Sequence, residues 1–354
     1  MSDVGVKQKK YKIFIAIIPF LALLLALFLG GILILLAGIN PWRAYAYMLH
    51  SVFGNIRLFS ETFTHFVPLV FCALSFAIAF KGGFFNVGQA GQLYFGALTA
   101  TLAGIYIHGL PAFIHIPLVL LAGFVGGAFW CWIAGILKIK KGVNEILSTI
   151  MLSYLATLLI DFMVMYFLKP PDSYVSQSEK IAKSAYFPPL IAHTQINLGV
   201  ILSLLTVVII YYFLFRSSYG YQIRVIGENS NVANYAGINI LKGTMTVIII
   251  SGGLAGLAGA SMLMGTQHKL IPAFSPGYGF EGLGASVMAR NNPLGIILTA
   301  FLFSLIRVGA GAMQRGVGVP LPLSWIIEGM IMIFVTASEY FTNKLSANLI
   351  EGRA

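Results

Sequence analysis

Charged side chains are nearly missing from this chain of 354 residues: 9% of positions carry Asp, Glu, Lys or Arg, where a soluble domain holds about 25%. With 58% hydrophobic residues and a mean hydropathy of +0.88, the chain cannot cover a water-facing surface of its own. That excludes a soluble enzyme, a disordered scaffold and a nucleic-acid binder, and leaves an integral membrane protein. Acidic residues are scarcer still, 11 against 22 Lys and Arg, for a net charge of +11. The basic residues fall in short loops between apolar runs, so the excess encodes membrane orientation rather than a patch for nucleic acid. Only two cysteines are present, Cys72 and Cys131, each inside an apolar stretch. Two isolated thiols build neither a disulfide framework nor a metal site, and they read as small buried hydrophobes.

The chemistry of an enzyme is missing too. No Gly-Lys dipeptide occurs, so there is no phosphate-cradling P-loop, and any ATP that drives this protein binds to another polypeptide. There is no HExxH, no GxSxG and no carboxylate pair at metal-binding spacing. No catalytic residue, metal site or cofactor is therefore expected. Gly277-Tyr278-Gly279-Phe280-Glu281-Gly282 matches GxGxxG, but the dinucleotide motif needs a strand before it and a helix after it. Here it joins two membrane segments, and it reads as a tightly turning entry to the second.

What is present is a series of long apolar runs. A spanning helix needs roughly 20 such residues, and candidates lie at about 13–38, 61–80, 88–108, 116–137, 145–168, 197–215, 243–264, 293–313 and 322–341. The first follows Lys7, Lys9, Lys10 and Lys12 and outruns the roughly 7–15 residues of a signal-peptide core, so an uncleaved first helix is expected. Segment 280–290 is too short to span alone and reads as a half-helix inside the bundle. Counting it gives an all-α bundle of about ten crossings in a single permease-like domain over residues 1–354, with both termini on one side. That side then collects the four N-terminal lysines, Lys81, Lys138, Lys140, Lys141, Arg216, Arg224, Lys242, Arg290, Lys344 and Arg353. The other side holds Arg43, Arg57, Lys169, Lys180, Lys183, Lys269 and Arg315, half as many, which supports an N-in, C-in arrangement. A hydrophilic loop at 169–196 falls outside and another at 216–242 inside. Gly123/Gly127 and Gly252/Gly256 stand at GxxxG spacing, expected where helices pack closely.

Ionisable residues within spans are costly and default to functional candidates. They are Asp161, Glu281, Arg307 and Glu328. Arg307 with Glu328 or Glu281 reads as a buried pair, with a substrate or proton role as the alternative. In Asn86-Val87-Gly88-Gln89-Ala90-Gly91-Gln92, three amides stand where an apolar helix begins. Amides donate and accept, so Asn86, Gln89 and Gln92 suit a neutral, hydrogen-bonding solute, or else cap and bond helices to each other. Within the inner loop, Glu228, Asn229, Ser230, Val232, Ala233, Tyr235 and Gly237 outline a short amphipathic helix, with Ser230 as N-cap and Gly237 as terminator. Val232, Tyr235 and Ala236 share one face. Two turns are marginal alone, so this helix is expected to dock onto a partner protein or onto its own bundle.

These residues carry a resemblance. The 86–92 run, the stretch from Gly142-Val143-Asn144-Glu145 to Leu152, Arg224 to Asn239, Ser251 to Gly259, and Gly277 through Gly295 occur in order. Together they are similar to permease subunits of bacterial ABC importers for nucleosides and simple sugars, in the branched-chain amino acid and ribose permease superfamily, over about residues 60–341. The resemblance implies a ten-helix importer in the bacterial cytoplasmic membrane and a dimeric path shared with a second permease. It further implies separate ABC ATPase subunits and an extracytoplasmic substrate-binding lipoprotein. The 142–152 motif resembles the longer of two paired permeases, so a paralogous partner is expected, and the coupling segment maps onto 228–239. Two positions depart from the common pattern: Ala90, where an acidic residue is frequent, and Ala289, where glycine is. The leading expectation is nucleoside translocation, with Asn86, Gln89, Gln92 and Glu281 on the pathway and Asn144 and Glu145 at its inner mouth. An N-cap at Asn144 with a dipole-stabilised Glu145 is the alternative there. A simple-sugar permease is the near alternative in substrate. A stand-alone secondary transporter would need paired broken helices, and the sequence offers one short segment.

Overall fold

The computed structural model describes Ile18 and residues 21–351 except Asp172, with side chains described as far as Ser338. The lysines at 7, 9, 10 and 12, the start of the 13–38 run, Asp172, Arg353 and the side chain of Lys344 lie outside the described residues. All named elements among the described residues are helical. In chain order they are α1 (Leu21–Leu36), α2 (Pro41–Gly54), α3 (Ile56–Lys81), α4 (Gln89–Tyr106), α5 (Ala112–Lys141), α6 (Glu145–Tyr166) and α7 (Leu198–Arg216). After these come α8 (Ser218–Glu228), α9 (Ser230–Tyr235), α10 (Ile240–Met262), α11 (Tyr278–Met288), α12 (Pro293–Val317) and α13 (Leu321–Glu351). Seven of them, α3, α5, α6, α7, α10 with its π-helical extension, α12 and α13, are long and apolar enough to cross a membrane, and eight if the bent α1–α2 pair is one span.

Two departures from the sequence reading have local causes. Residues 41–54 form a helix because Asn40 caps it, accepting from the Trp42 and Arg43 amides, and Pro41 supplies a preset φ in its first turn. The 216–242 loop is largely helical, for Ser217 caps α8 by accepting from the Gly220 amide at 2.9 Å. Their helices, α2, α8 and α9, are too short to span alone, and capping rather than hydropathy decides them.

The chain divides into two compact units, Phe59–Ser304 and Met1–Leu58 with Leu305–Ala354. In the second, α1 turns through 115° into α2, and the Tyr45 hydroxyl donates to the Leu27 carbonyl at 2.7 Å. Gly309 and Gly316 receive Met48 and Tyr47 there. In the larger unit α4, α5 and α10 form the centre. Their glycines explain the closeness: a Cβ at Gly256 would strike the Gly123 carbonyl and the Gly127 backbone, and one at Gly96 would strike Gly256. The GxxxG rows of α5 and α10 thus pack on each other, backbone to backbone, where lipid offers no hydrophobic drive.

The α11 half-helix sits inside this unit. Gly277, at φ +108°, opens it in a conformation that suits glycine. Gly279 then lies on Ala90 of α4, and Gly282 on Cys72 and Ala73 of α3. Both thiols, Cys72 and Cys131, are buried.

Candidate functional site

The connector between α3 and α4 carries the amide cluster. Gly83, at φ +74°, ends α3 with the Phe84 amide bonding back to the Ala79 carbonyl at 3.0 Å, which turns the chain inward. Asn86 is then fully buried. Its Nδ2 donates to Gln92 Oε1 at 2.9 Å and to Ser251 Oγ at 2.8 Å, while its Oδ1 accepts from Gln92 Nε2 and the Gly88 amide, both at 2.9 Å. Ser251 Oγ in turn donates to the Ser75 carbonyl at 2.8 Å. Gln89 Nε2 donates to the Asn86 carbonyl at 2.8 Å, and its buried Oε1 has no hydrogen-bond partner. Of the three amides, Asn86 and Gln92 therefore bond to each other, Asn86 reaches α10 at Ser251 and through it α3 at Ser75, and Gln89 keeps an unused acceptor. Ser75 escaped the sequence reading, and Ser251 entered it only as the start of the 251–259 motif, with no role assigned; the only further signal they gave was a small polar residue inside an apolar span.

Asn144 and Glu145 open α6. Asn144 Oδ1 accepts from the Ile146 and Leu147 amides at 2.9 and 3.3 Å, which makes it the N-cap. The Glu145 carboxylate in the first turn lies 2.6 Å from Lys138 Nζ at the end of α5. Lys138 also donates to the Gly83 carbonyl at 3.2 Å and lies 5.2 Å from the centre of the Phe84 ring. The same ammonium thus ties α5, α6 and the α3–α4 connector together.

The 228–239 segment borders this assembly. Asn229, not Ser230, caps α9, because its side chain accepts from the Asn231 and Val232 amides at 3.0 and 3.2 Å. An amide oxygen reaches these donors as well as a hydroxyl does, and the chain turns one residue earlier. Ala236 closes the helix and Gly237 follows at φ +71°. Ala233 is buried, whereas Val232 is 53% and Tyr235 93% exposed. One turn upstream, Gly227 rests on the α3 terminus: a Cβ there would strike the Lys81 carbonyl, and one on Gly83 would stand 3.1 Å from Gly227 Cα. Beside the junction opens a groove of about 500 Å³ lined by Gly83, Lys138, Glu228, Asn229, Ser230 and Thr244. The end of α3, just before the 86–92 segment, and the end of α8, just before the 228–239 segment, are therefore in backbone contact at Gly83 and Gly227. Glu281 stands in the first turn of α11, half-buried.

At the opposite end the 169–196 loop is strapped down. The amides of Ser178, Ile181 and Phe187 donate to the carbonyls of Leu270, His268 and Met264 at 2.9, 3.0 and 3.0 Å. Tyr186 stacks on His268 with ring centres 3.8 Å apart. Burial first, and Lys180 second, push the His268 imidazole below its ordinary range, so the stacked ring is neutral at pH 7. Among the described residues no three His, Cys, Asp or Glu side chains are grouped to hold a metal ion.

The cluster around Asn86 yields a prediction. Asn86→Ala strands the Gln92 side-chain amide, whose Nε2 and Oε1 both bond to Asn86, and a buried polar group left without a partner costs about 1–3 kcal/mol. A fall in unfolding stability of about 2 kcal/mol or more is expected in detergent. Unchanged stability would mean that water already solvates these amides and that they line a wet path.

Residues 58–336 match the family described as branched-chain amino acid transport system / permease component. The chain is 31% identical over 325 residues to the guanosine ABC transporter permease protein NupP of Bacillus subtilis, covering 91% of this chain and 93% of that one. It is 30% identical over 328 residues to the nucleoside ABC transporter permease protein NupB of Lactococcus lactis, covering 90% of each. To the glucose ABC transporter permease protein TsgB13 of Haloferax volcanii it is 30% identical over 333 residues, 91% of this chain and 87% of that one. No solved structure matches it.

Proposed function

The chain belongs to the branched-chain amino acid transport system / permease component family, and from that membership we propose that it is the permease subunit of an ABC importer that carries nucleosides across the bacterial cytoplasmic membrane. ATP is hydrolysed by a separate subunit, since the sequence has no P-loop of its own. Support for nucleosides comes from two relatives named for guanosine and nucleoside transport, each matched over at least nine-tenths of its length. A simple sugar is the second reading, favoured by the relative named for glucose.

Ten crossings follow if α1, α3 to α7, α10, the half-helix α11, α12 and α13 each count once. The excess of Lys and Arg on one side then puts both termini in the cytoplasm. In that orientation α9 faces the cytosol and receives the ATPase, the 169–196 loop faces the binding lipoprotein, and a second, paralogous permease completes the path. The observation that carries this reading is the backbone junction of Gly83 and Gly227, which joins α8, the helix leading into the exposed α9, to the connector bearing Asn86. A push on α9 moves α8, and α8 cannot move without the α3–α4 connector. Asn86, Gln89, Gln92 and Glu281 border the pathway, and Asn144 and Glu145 with Lys138 form the hinge at its inner mouth. Transport is then a switch between two arrangements of the bundle.

Proteoliposomes holding this permease, its partner permease and the ATPase, supplied with the binding protein, test the reading. Guanosine uptake is expected only with ATP inside and the lipoprotein outside. Uptake by the purified chain down an ion gradient, without an ATPase, overturns it.

A further inference from the structure

One face of α6 is unlike the rest of the bundle. Glu145, Thr149, Ser153, Thr157 and Asp161 recur at every fourth position, which stacks them along one side of a helix that is otherwise apolar. The stripe faces α4: the Val87 amide donates to Thr149 Oγ1 at 3.3 Å and the Gly91 amide to Ser153 Oγ at 3.2 Å. The hydroxyls of Thr149, Ser153 and Thr157 donate to the carbonyls four residues back, at 2.7, 3.0 and 3.1 Å, so they are satisfied. Asp161 is different. Its Oδ1 is shielded from solvent and has no hydrogen-bond partner. A carboxylate held so within a span is costly and is retained where it meets a ligand or a counter-group.

What surrounds Asp161 points to the ligand. Its neighbours Ile160 and Val164 pack in one cluster with Tyr94, Leu270 and Phe274. Ser275, next to Phe274, gives its backbone amide to the Tyr94 hydroxyl at 3.3 Å, while its own buried Oγ has no partner. The Phe274 ring stands edge-on to Tyr94, with centres 4.9 Å apart. The cluster therefore offers a carboxylate with a spare acceptor, a phenol that can still donate, a serine hydroxyl that can do both, and an aromatic wall.

The geometry points to a subsite for vicinal hydroxyls on a sugar ring, with Asp161 accepting from the diol and Tyr94 and Ser275 completing the contacts. A carboxylate oxygen accepts strongly from neutral hydroxyls, and a ring face packs on an aromatic side chain. Ribose in a nucleoside and a free sugar share this chemistry. The inference rests on the transport reading above and adds a recognition element to it.

The complete transporter in proteoliposomes provides the test, through initial ATP-driven uptake of guanosine and of 2′,3′-dideoxyguanosine. Asp161→Asn is expected to lower guanosine uptake about tenfold or more, because hydrogen bonds to a charged group are the strong ones. Dideoxyguanosine uptake should change less than about twofold, so the ratio of the two collapses. The binding lipoprotein is the same in both measurements, and its own preference cancels from the change in ratio. Should Asp161→Asn fail to assemble, Ser275→Ala carries the comparison, with a ratio change of about threefold expected. An unchanged ratio in an assembled variant overturns the inference. If the unaltered transporter imports ribose but no nucleoside, the nucleoside reading falls, and ribose against a deoxyribose decides the subsite.

Discussion

Gly256→Val should leave almost no folded protein. The glycine sits where α4, α5 and α10 meet, and a Cβ there would strike the Gly123 carbonyl oxygen and lie 2.9 and 3.0 Å from Gly127 Cα and N. Those atoms are backbone and have no rotamer to change, so the helices must part. Overpacking against movable side chains costs about 1–3 kcal/mol, and separating three close-packed helices is expected to exceed about 4 kcal/mol. That is a large share of the roughly 5–15 kcal/mol that hold a domain together. The measurement is the yield of monodisperse protein after solubilisation, with its thermal midpoint. Gly329→Val is the control, since a Cβ at that glycine meets no atom within 4 Å. Equal yield and midpoint for the two variants would show that the glycine contacts do not hold α5 and α10 together.

The second large effect is on transport. Tyr235→Asp, alone or with Val232→Asp, should stop ATP-driven uptake while the permease still folds. Both side chains are exposed, at 93% and 53%, and exposed substitutions change stability by less than about 0.5 kcal/mol. If α9 receives the ATPase as proposed, a carboxylate placed there removes an apolar anchor worth about 2 kcal/mol or more, which is roughly 30-fold in affinity. Uptake in proteoliposomes, with ATPase binding to the purified permease, reads the result. Ala233→Asp separates the two faces: Ala233 is fully buried, so that variant should lose stability instead. Normal uptake by Tyr235→Asp would mean that α9 does not receive the motor.

Much of this was legible in the sequence. Long apolar runs are local, and they placed most of the described helices within a few residues; the run at 145–168 became α6, Glu145–Tyr166, while that at 322–341 lies within the longer α13, Leu321–Glu351. Gly277 read as a turning entry and takes a left-handed φ. The α9 helix was visible from its caps and misplaced by one residue, because Asn229 and Ser230 both cap well and only the backbone path chooses between them. Residues 41–54 were missed because Arg43 and the flanking polar residues lower the hydropathy that the reading followed, while an Asn-Pro start is too short a signal to weigh alone.

The sequence by itself determined the class of the protein, the approximate place of its long apolar segments and the lack of a P-loop. All of these depend on composition and on neighbours along the chain. Tertiary structure alone decided which side of each helix faces protein. Because lipid is as apolar as a helix interface, a nearly uniformly apolar span such as α7 carries no amphipathic signal of its own rotation. So Asn86 finds Ser251 across 165 positions, Gly83 meets Gly227, and the polar stripe ending at Asp161 turns towards α4. Contacts of that kind are made between distant segments, and it is packing rather than pattern that brings them together.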